Sequence, residues 1–308
     1  MKRIAIFLAL ALLTAAFAGC GEPAESTGTQ SPVQTEATEG TWMTMPNDRQ
    51  LTAQQYFVYD CEERQFLTIS GAETEVIYPA SVTKIFTAYV ALQYLKPSQK
   101  ITAGDVLDLV AAGSSVAEIE EGDTLTVEKL VEAMLLPSGN DAAYILADAA
   151  GKAISNRESM TGTAAVAAFV AEMNAQAKAL GMTGTNFANP DGIHSDTHRM
   201  NFRDLATLGM LAMEDPVICK YAAVSEDQMQ LGGQSVQWHN TNALIDPASE
   251  YYCPYAIGLK TGQTPRAGSC LLSAFEYKGR TLVIGVFGCP EVEDRFADTL
   301  QLFTETVK

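Results

Sequence analysis

Apolar residues recur along this chain in two rhythms, and the change between them divides it. Positions 55–60 and 65–70 read as two strands around a Cys61-Glu62-Glu63-Arg64 turn. From Pro79 the spacing lengthens. Val82, Ile85, Phe86, Tyr89, Val90 and Leu92 fall at helical intervals until Pro97 stops the run. Further helices are predicted at about 126–136, 140–150, 161–180 and 201–213. Strand character returns at 255–260, 269–277 and 281–288, with Lys278-Gly279 as the hairpin turn between the last two. A final helix opens near Glu293. Strands at both ends with helices between them predict an α+β fold. One antiparallel sheet gathers the two chain ends, an all-helical region is inserted beside it, and a cleft between the parts is the natural place for a site.

The first 48 residues follow a different pattern. Lys2 and Arg3 precede an apolar run at 4–13, and small residues lead to Gly19 and Cys20. That layout is a secretory signal, too short for a comfortable membrane-spanning helix. Phe17-Ala18-Gly19-Cys20 resembles a bacterial lipobox, in which Cys20 is lipidated, although Phe17 replaces the usual Leu. Ordinary cleavage after Ala16-Phe17-Ala18 is the alternative. Residues 21–48 are rich in Glu, Thr, Ser, Gln, Gly and Pro, and read as a tether that buries too little surface to fold.

The 308 residues carry a net charge of −17 and are 47% hydrophobic, which suits a globule and argues against nucleic acid or an anionic surface as partner. Any membrane contact is therefore expected through the N-terminal lipid. Without Cys20, five cysteines remain: Cys61, Cys219, Cys253, Cys270 and Cys289. An exported chain can form disulfides, but an odd number leaves one thiol over, and buried small hydrophobes are the expected majority.

Ser81 is the only one of sixteen serines followed by lysine three places on, as Ser81-Val82-Thr83-Lys84 at a helix start. Positions i and i+3 share a helix face, so Lys84 can reach the Ser81 hydroxyl and act as its base if burial and nearby cations keep it neutral. Two further triplets follow. Ser138-Gly139-Asn140 stands at a turn before a helix, where Ser138 can relay a proton and Asn140 can hold Lys84 or substrate backbone. Lys260-Thr261-Gly262 closes a strand. There Lys260 adds a second cation, Thr261 can bond a carboxylate, and Gly262 lets a peptide lie along the strand edge.

Together these triplets resemble the set found in penicillin-binding proteins and class A β-lactamases. The context in Tyr78-Pro79-Ala80-Ser81, Phe187-Ala188-Asn189-Pro190-Asp191-Gly192, Asn240-Thr241-Asn242-Ala243-Leu244 and Gly258-Leu259-Lys260-Thr261-Gly262-Gln263-Thr264 is similar to the serine-type D-alanyl-D-alanine carboxypeptidases, from about residue 50 to 300. The resemblance implies the serine β-lactamase/penicillin-binding-protein-like fold. It implies removal of the terminal D-alanine of peptidoglycan stem peptides through a Ser81 acyl-enzyme, with β-lactams as inhibitors and no cofactor. It also implies an oxyanion site between the N–H groups of Ser81 and Gln263. The expected organisation is a signal peptide at 1–19, a lipidated tether at 20–48 and a catalytic domain of two subdomains at 49–308. No segment up to Lys308 reads as the family's β-rich C-terminal domain or anchoring helix. Thr241 stands where some relatives have arginine, and Arg266 and Arg280 are the arginines nearby in sequence.

Two other functions compete. A class A β-lactamase needs a Glu-x-x-x-Asn loop, which no glutamate between Ser138 and Lys260 supplies. A non-catalytic lipoprotein binding wall peptides or β-lactams would lack one of the chemical groups, and all are present. His194 and His198 suggest a metal clip, but no ligand set of convincing spacing completes it, so no metal is expected.

Overall fold

The computed structural model describes residues 49–308; the signal segment, Cys20 and the tether lie outside them. Five antiparallel strands form one sheet in the order β2-β1-β9-β8-β7. They are β1 (Gln55–Asp60), β2 (Gln65–Ile69), β7 (Ala256–Thr264), β8 (Gly268–Tyr277) and β9 (Arg280–Cys289). The two chain ends meet where β1 pairs with β9, Phe57 opposite Gly285. Between them run the helices α1 (Thr83–Tyr94), α2 (Val127–Leu135), α3 (Asn140–Ser155), α4 (Gly162–Ala179), α5 (Phe202–Glu214) and α6 (Pro216–Ala222). Helix α7 (Asp294–Val307) closes the chain.

Strand alternation sorts the sheet residues onto two cores. Val58, Leu271, Phe275, Leu282, Ile284 and Val286 face α7, where they bury Phe296, Leu300 and Phe303. Phe57, Leu272, Ala274, Val283 and Phe287 point the other way, into the larger core shared with α1 to α5. Lys278 and Gly279 turn the β8–β9 hairpin with φ of 50° and 76°, the backbone that a two-residue hairpin of this hand requires.

Each strand and helix predicted above is present, with ends that differ by a few residues. Several short elements escaped the pattern. They are α6, a ladder of β3 (Lys100–Thr102) with β4 (Thr124–Thr126), and the hairpin β5 (Glu226–Leu231)–β6 (Gln234–His239). That hairpin is turned by Gly232-Gly233, and its mostly polar strands bury only Leu231, Val236 and Trp238. The five cysteines among the described residues are all free, so no bridge forms there. Cys253, Cys270 and Cys289 are buried as core residues.

Candidate active site

The nucleophile motif straddles the junction of two helices. A single 3-10 turn at Ala80–Val82 passes directly into α1, so Ser81 lies just before the first α-helical residue. Ala80, immediately upstream, has φ of 49°, a left-handed backbone that a β-carbon disfavours. Lys84 lies one turn on, fully buried, and its Nζ is 2.9 Å from Ser81 Oγ and 2.7 Å from the Asp191 carbonyl. Burial pulls the Lys84 ammonium down to about 8, against the opposing charges of Asp191 and Asp141. At that value a useful fraction of Lys84 is neutral near pH 7, and the 2.9 Å contact can then carry the hydroxyl proton to Nζ.

The segment 186–200 supports this turn from behind. Gly192 has φ of 87°, and a β-carbon there would fall 1.9 Å from the Ala80 carbonyl and 3.0 Å from Ser81 N. Only glycine allows the two chains to touch this closely. His198 Nδ1 accepts from the Ala188 N–H at 3.2 Å, so its proton is on Nε2, which donates to Thr83 Oγ1 at 2.8 Å. Burial lowers His198 to about 4, and it stays neutral. His198 tethers the Ser81–Lys84 turn, while His194 contacts Asp196, and no group of three or more ligand-type side chains gathers among the described residues.

Ser138 and Asn140 occupy the sharp turn between α2 and α3. Ser138 has φ of 64°, and both residues are buried with no hydrogen-bonding partner among the described residues for the hydroxyl or the carboxamide. Asp141 anchors the turn by accepting from the N–H groups of Ala117 and Ile119, and Asn140 N donates to Ser115 O at 2.8 Å. The β5–β6 hairpin adds a roof, with Trp238 Nε1 donating to Ala117 O at 2.9 Å.

Thr241 joins this turn to β7. Its N–H donates to Leu136 O at 3.1 Å, its hydroxyl bonds Thr261 Oγ1, and it accepts from Lys260 Nζ at 3.3 Å. Lys260 is fully buried and its pKa falls well below the usual lysine range, through burial first and then the charges of Lys84 and Arg295. Gly262 closes the remaining gap. A β-carbon on it would come within 2.9 Å of Ser81 N and of the Pro79 carbonyl, so β7 lies directly against the nucleophile turn. Gln263, one residue on, is exposed at this edge.

Arg280 pairs with buried Asp60, and its strand position faces Tyr277, far along the sheet from Gly262 and Cys270. The cation that does lie behind the site is Arg295, near the start of α7, buried, with Nη1 3.5 Å from the Gly262 carbonyl. Its separation of more than thirty residues from Lys260 hid it from motif reading. Asp191 carries no chemical signal in the sequence beyond its loop motif; its Oδ2 is buried and has no hydrogen-bonding partner among the described residues.

A half-buried serine bonded to a buried lysine against the edge strand of an antiparallel sheet, beside a helical layer whose turn carries a second serine and an asparagine, is the arrangement of an active-site-serine acyl-transfer fold. A D-alanyl-D-alanine carboxypeptidase family model matches residues 41–291, and the chain belongs to that family. It is 32% identical over 232 residues to the D-alanyl-D-alanine carboxypeptidase of Streptomyces sp. (strain K15), covering 72% of this chain and 76% of that one. It is 29% identical over 234 residues to the carboxypeptidase DacF of Bacillus subtilis, covering 74% of this chain but only 55% of that protein's length. Among solved structures, the Streptomyces K15 DD-transpeptidase superposes with a TM-score of 0.73 at 29% identity, over 83% of this chain and 97% of that one. Penicillin-binding protein D2 from Listeria monocytogenes, in its ampicillin-bound form, gives a TM-score of 0.67 at 27% identity, over 84% and 98% of the two chains.

Proposed function

We propose that this chain is a serine D-alanyl-D-alanine carboxypeptidase that trims the terminal D-alanine of peptidoglycan stem peptides. The observation that carries the reading is the 2.9 Å contact between Ser81 and a buried Lys84 whose pKa has fallen to about 8. Neutral Lys84 takes the Ser81 proton as Oγ attacks the carbonyl of the penultimate D-alanine. The oxyanion is held by the N–H groups of Ser81 and Gln263. Ser138 passes a proton to the departing amine, and Asn140 holds the acyl side of the peptide. Lys260 and Thr261, with Thr241 bridging them to the α2–α3 turn, receive the terminal carboxylate, and Gly262 admits the peptide against β7. Arg295 adds positive field from below. Water then hydrolyses the Ser81 ester.

The two names carried by the Streptomyces K15 relative, carboxypeptidase and DD-transpeptidase, differ only in which nucleophile resolves the acyl-enzyme, and the same groups serve both. A β-lactam would acylate Ser81 by the same route. At the cell level we read the protein as an exported lipoprotein held at the outer face of the membrane through Cys20. Metabolic labelling with a palmitate analogue, lost in Cys20→Ser, tests that assignment.

The catalytic reading is tested by incubating the full chain with a fluorescent penicillin and measuring intact mass, beside Ser81→Ala. A stable adduct on the wild type alone is expected, together with D-alanine release from a pentapeptide. Rapid drug turnover would favour a β-lactamase, and no adduct with no turnover a non-catalytic binding protein.

A further inference from the structure

Beyond Gln263 the cleft edge carries three side chains that the reaction at Ser81 does not use. Tyr78, three residues before the nucleophile, meets His194 edge-on with ring centroids 5.0 Å apart. The Arg266 guanidinium lies over the Tyr78 ring, 5.8 Å from its centroid. Each residue comes from a different element framing Ser81. Tyr78 leads into the Ala80–Val82 turn, His194 follows Gly192 where that loop touches Ser81 N, and Arg266 is on the turn that joins β7 to β8. Arg266 is exposed and has no ion pair among the described residues, in a chain with a net charge of −17. Two arginines of β9 and α7 are committed elsewhere: Arg280 to Asp60, and Arg295 beneath the Gly262 carbonyl. The carboxylate in contact with this group is Asp196, 3.3 Å from His194 Nε2 and itself turned to solvent.

The order of groups along β7 gives the direction of a bound peptide. The terminal carboxylate is assigned to Lys260 and Thr261, and the scissile carbonyl to the N–H of Gln263. Moving from the carboxylate to the carbonyl therefore means moving down β7, and the acyl-donor residues continue past Thr264. A strand advances about 3.3 Å per residue, so the first and second residues before the terminal D-Ala-D-Ala come level with the β7–β8 turn. Successive side chains of an extended peptide point to opposite faces, so one of the two would be directed towards Arg266. A planar guanidinium shelved on an aromatic ring keeps its donor edge free and pre-oriented for a carboxylate.

We propose that Arg266, supported by Tyr78 and flanked by His194, is a specificity subsite for a carboxylate on one of those two acyl-donor residues. The inference rests on the Ser81 reading above and deepens it by naming the chemistry of the preferred substrate: an anionic peptide rather than its amidated form. Two sources can present that carboxylate, a side-chain acid on the first residue before D-Ala-D-Ala or a free α-carboxylate on a side-chain-linked acidic residue at the second.

The test measures kcat/KM for D-alanine release by the full chain on two peptide pairs. Each pair compares a carboxylate with its carboxamide, at the first or at the second of these positions. The carboxylate is expected to be favoured by about tenfold at one position, the size of a charge-assisted hydrogen bond, with the preference shrinking as salt rises. The carboxylate-to-carboxamide ratio within each enzyme cancels any general loss of folding or turnover. In Arg266→Gln the ratio should collapse towards one, and in Arg266→Lys it should survive in part. Release of D-alanine without discrimination by the wild type, or discrimination undiminished in Arg266→Gln, overturns the subsite alone. Failure to release D-alanine from any peptide overturns the Ser81 reading and the subsite with it.

Discussion

As the proposed base for Ser81, Lys84 would have to be uncharged, and its surroundings pull in opposite directions. Burial lowers its pKa to about 8, while Asp191 and Asp141 raise it. Below pH 8 the neutral fraction falls about tenfold per pH unit, so penicillin acylation should decline along an acid limb centred near 8. Replacing Asp191 with Asn removes a charge that favours the ammonium form. The acid limb should then move to lower pH, and acylation at pH 6 should rise relative to the plateau. Stopped-flow acylation from about 3 pH units below to about 2 above the Lys84 midpoint checks this. A limb that stays fixed or moves upward would show that Asp191 does not act on Lys84. The motif at 81–84 was legible because its partners are three residues apart, one helical turn, across the junction of the 3-10 turn and α1. Asp191 was not, since its neighbour Lys84 is more than a hundred residues away.

Helices, strands and loops meet here at backbone distance, and that is where their sequence requirements become strict. Gly192→Ala would put a methyl group 1.9 Å from the Ala80 carbonyl at φ of 87°. Both the clash and the strain lie in backbone, so about 2–4 kcal/mol of stability should be lost. Urea denaturation measures that loss, and acylation of the surviving folded fraction should also be slowed, because Ser81 N is the next atom displaced. The β5–β6 hairpin is fastened differently, by Lys129 of α2 bonding Glu132 at 2.6 Å and Asp227 of β5 at 2.7 Å. Burial raises Glu132 to about 6 from its ordinary 4.5, despite Lys129. The folded chain therefore binds more protons than the unfolded chain between those values, and stability should fall as pH rises from 4.5 to 6. Thermal melts across that window should show this slope in the wild type and lose it in Glu132→Gln. The hairpin was missed in the sequence because only three of its side chains are buried, leaving little apolar alternation, although Gly232-Gly233 was a turn signal.

One carboxylate gathers several of the bonds that join the two ends of the described chain. Asp298 of α7 is buried and accepts from Thr52 N at 2.9 Å, Thr52 Oγ1 at 3.0 Å and Ala53 N at 2.7 Å, and it pairs with Arg49. Asp298→Ala would leave those N–H and O–H donors without their acceptor and Arg49 with Asp294 as its remaining partner, at a cost of about 3–5 kcal/mol. A urea midpoint that barely moves would show that β1 is held by sheet pairing and apolar contact alone.

The helical faces, the strand alternation and the Lys278-Gly279 turn follow from interactions between near neighbours, so the sequence by itself determined the α+β class and most element positions. It also determined Ser81 with Lys84, because one helical turn relates them, and it flagged Ser138, Asn140 and Lys260 to Gln263 as separate triplets. Their assembly depends on contacts between residues tens to hundreds of positions apart. Folding alone brought Gly262 and Gly192 against the Ser81 turn, used Thr241 to bridge β7 to the α2–α3 turn, and removed Arg280 to the distant Asp60. It also put Arg295 under β7 and laid Arg266 across Tyr78. Such positions are set by close packing and by the chain's path through the sheet, which local patterns in a sequence do not encode.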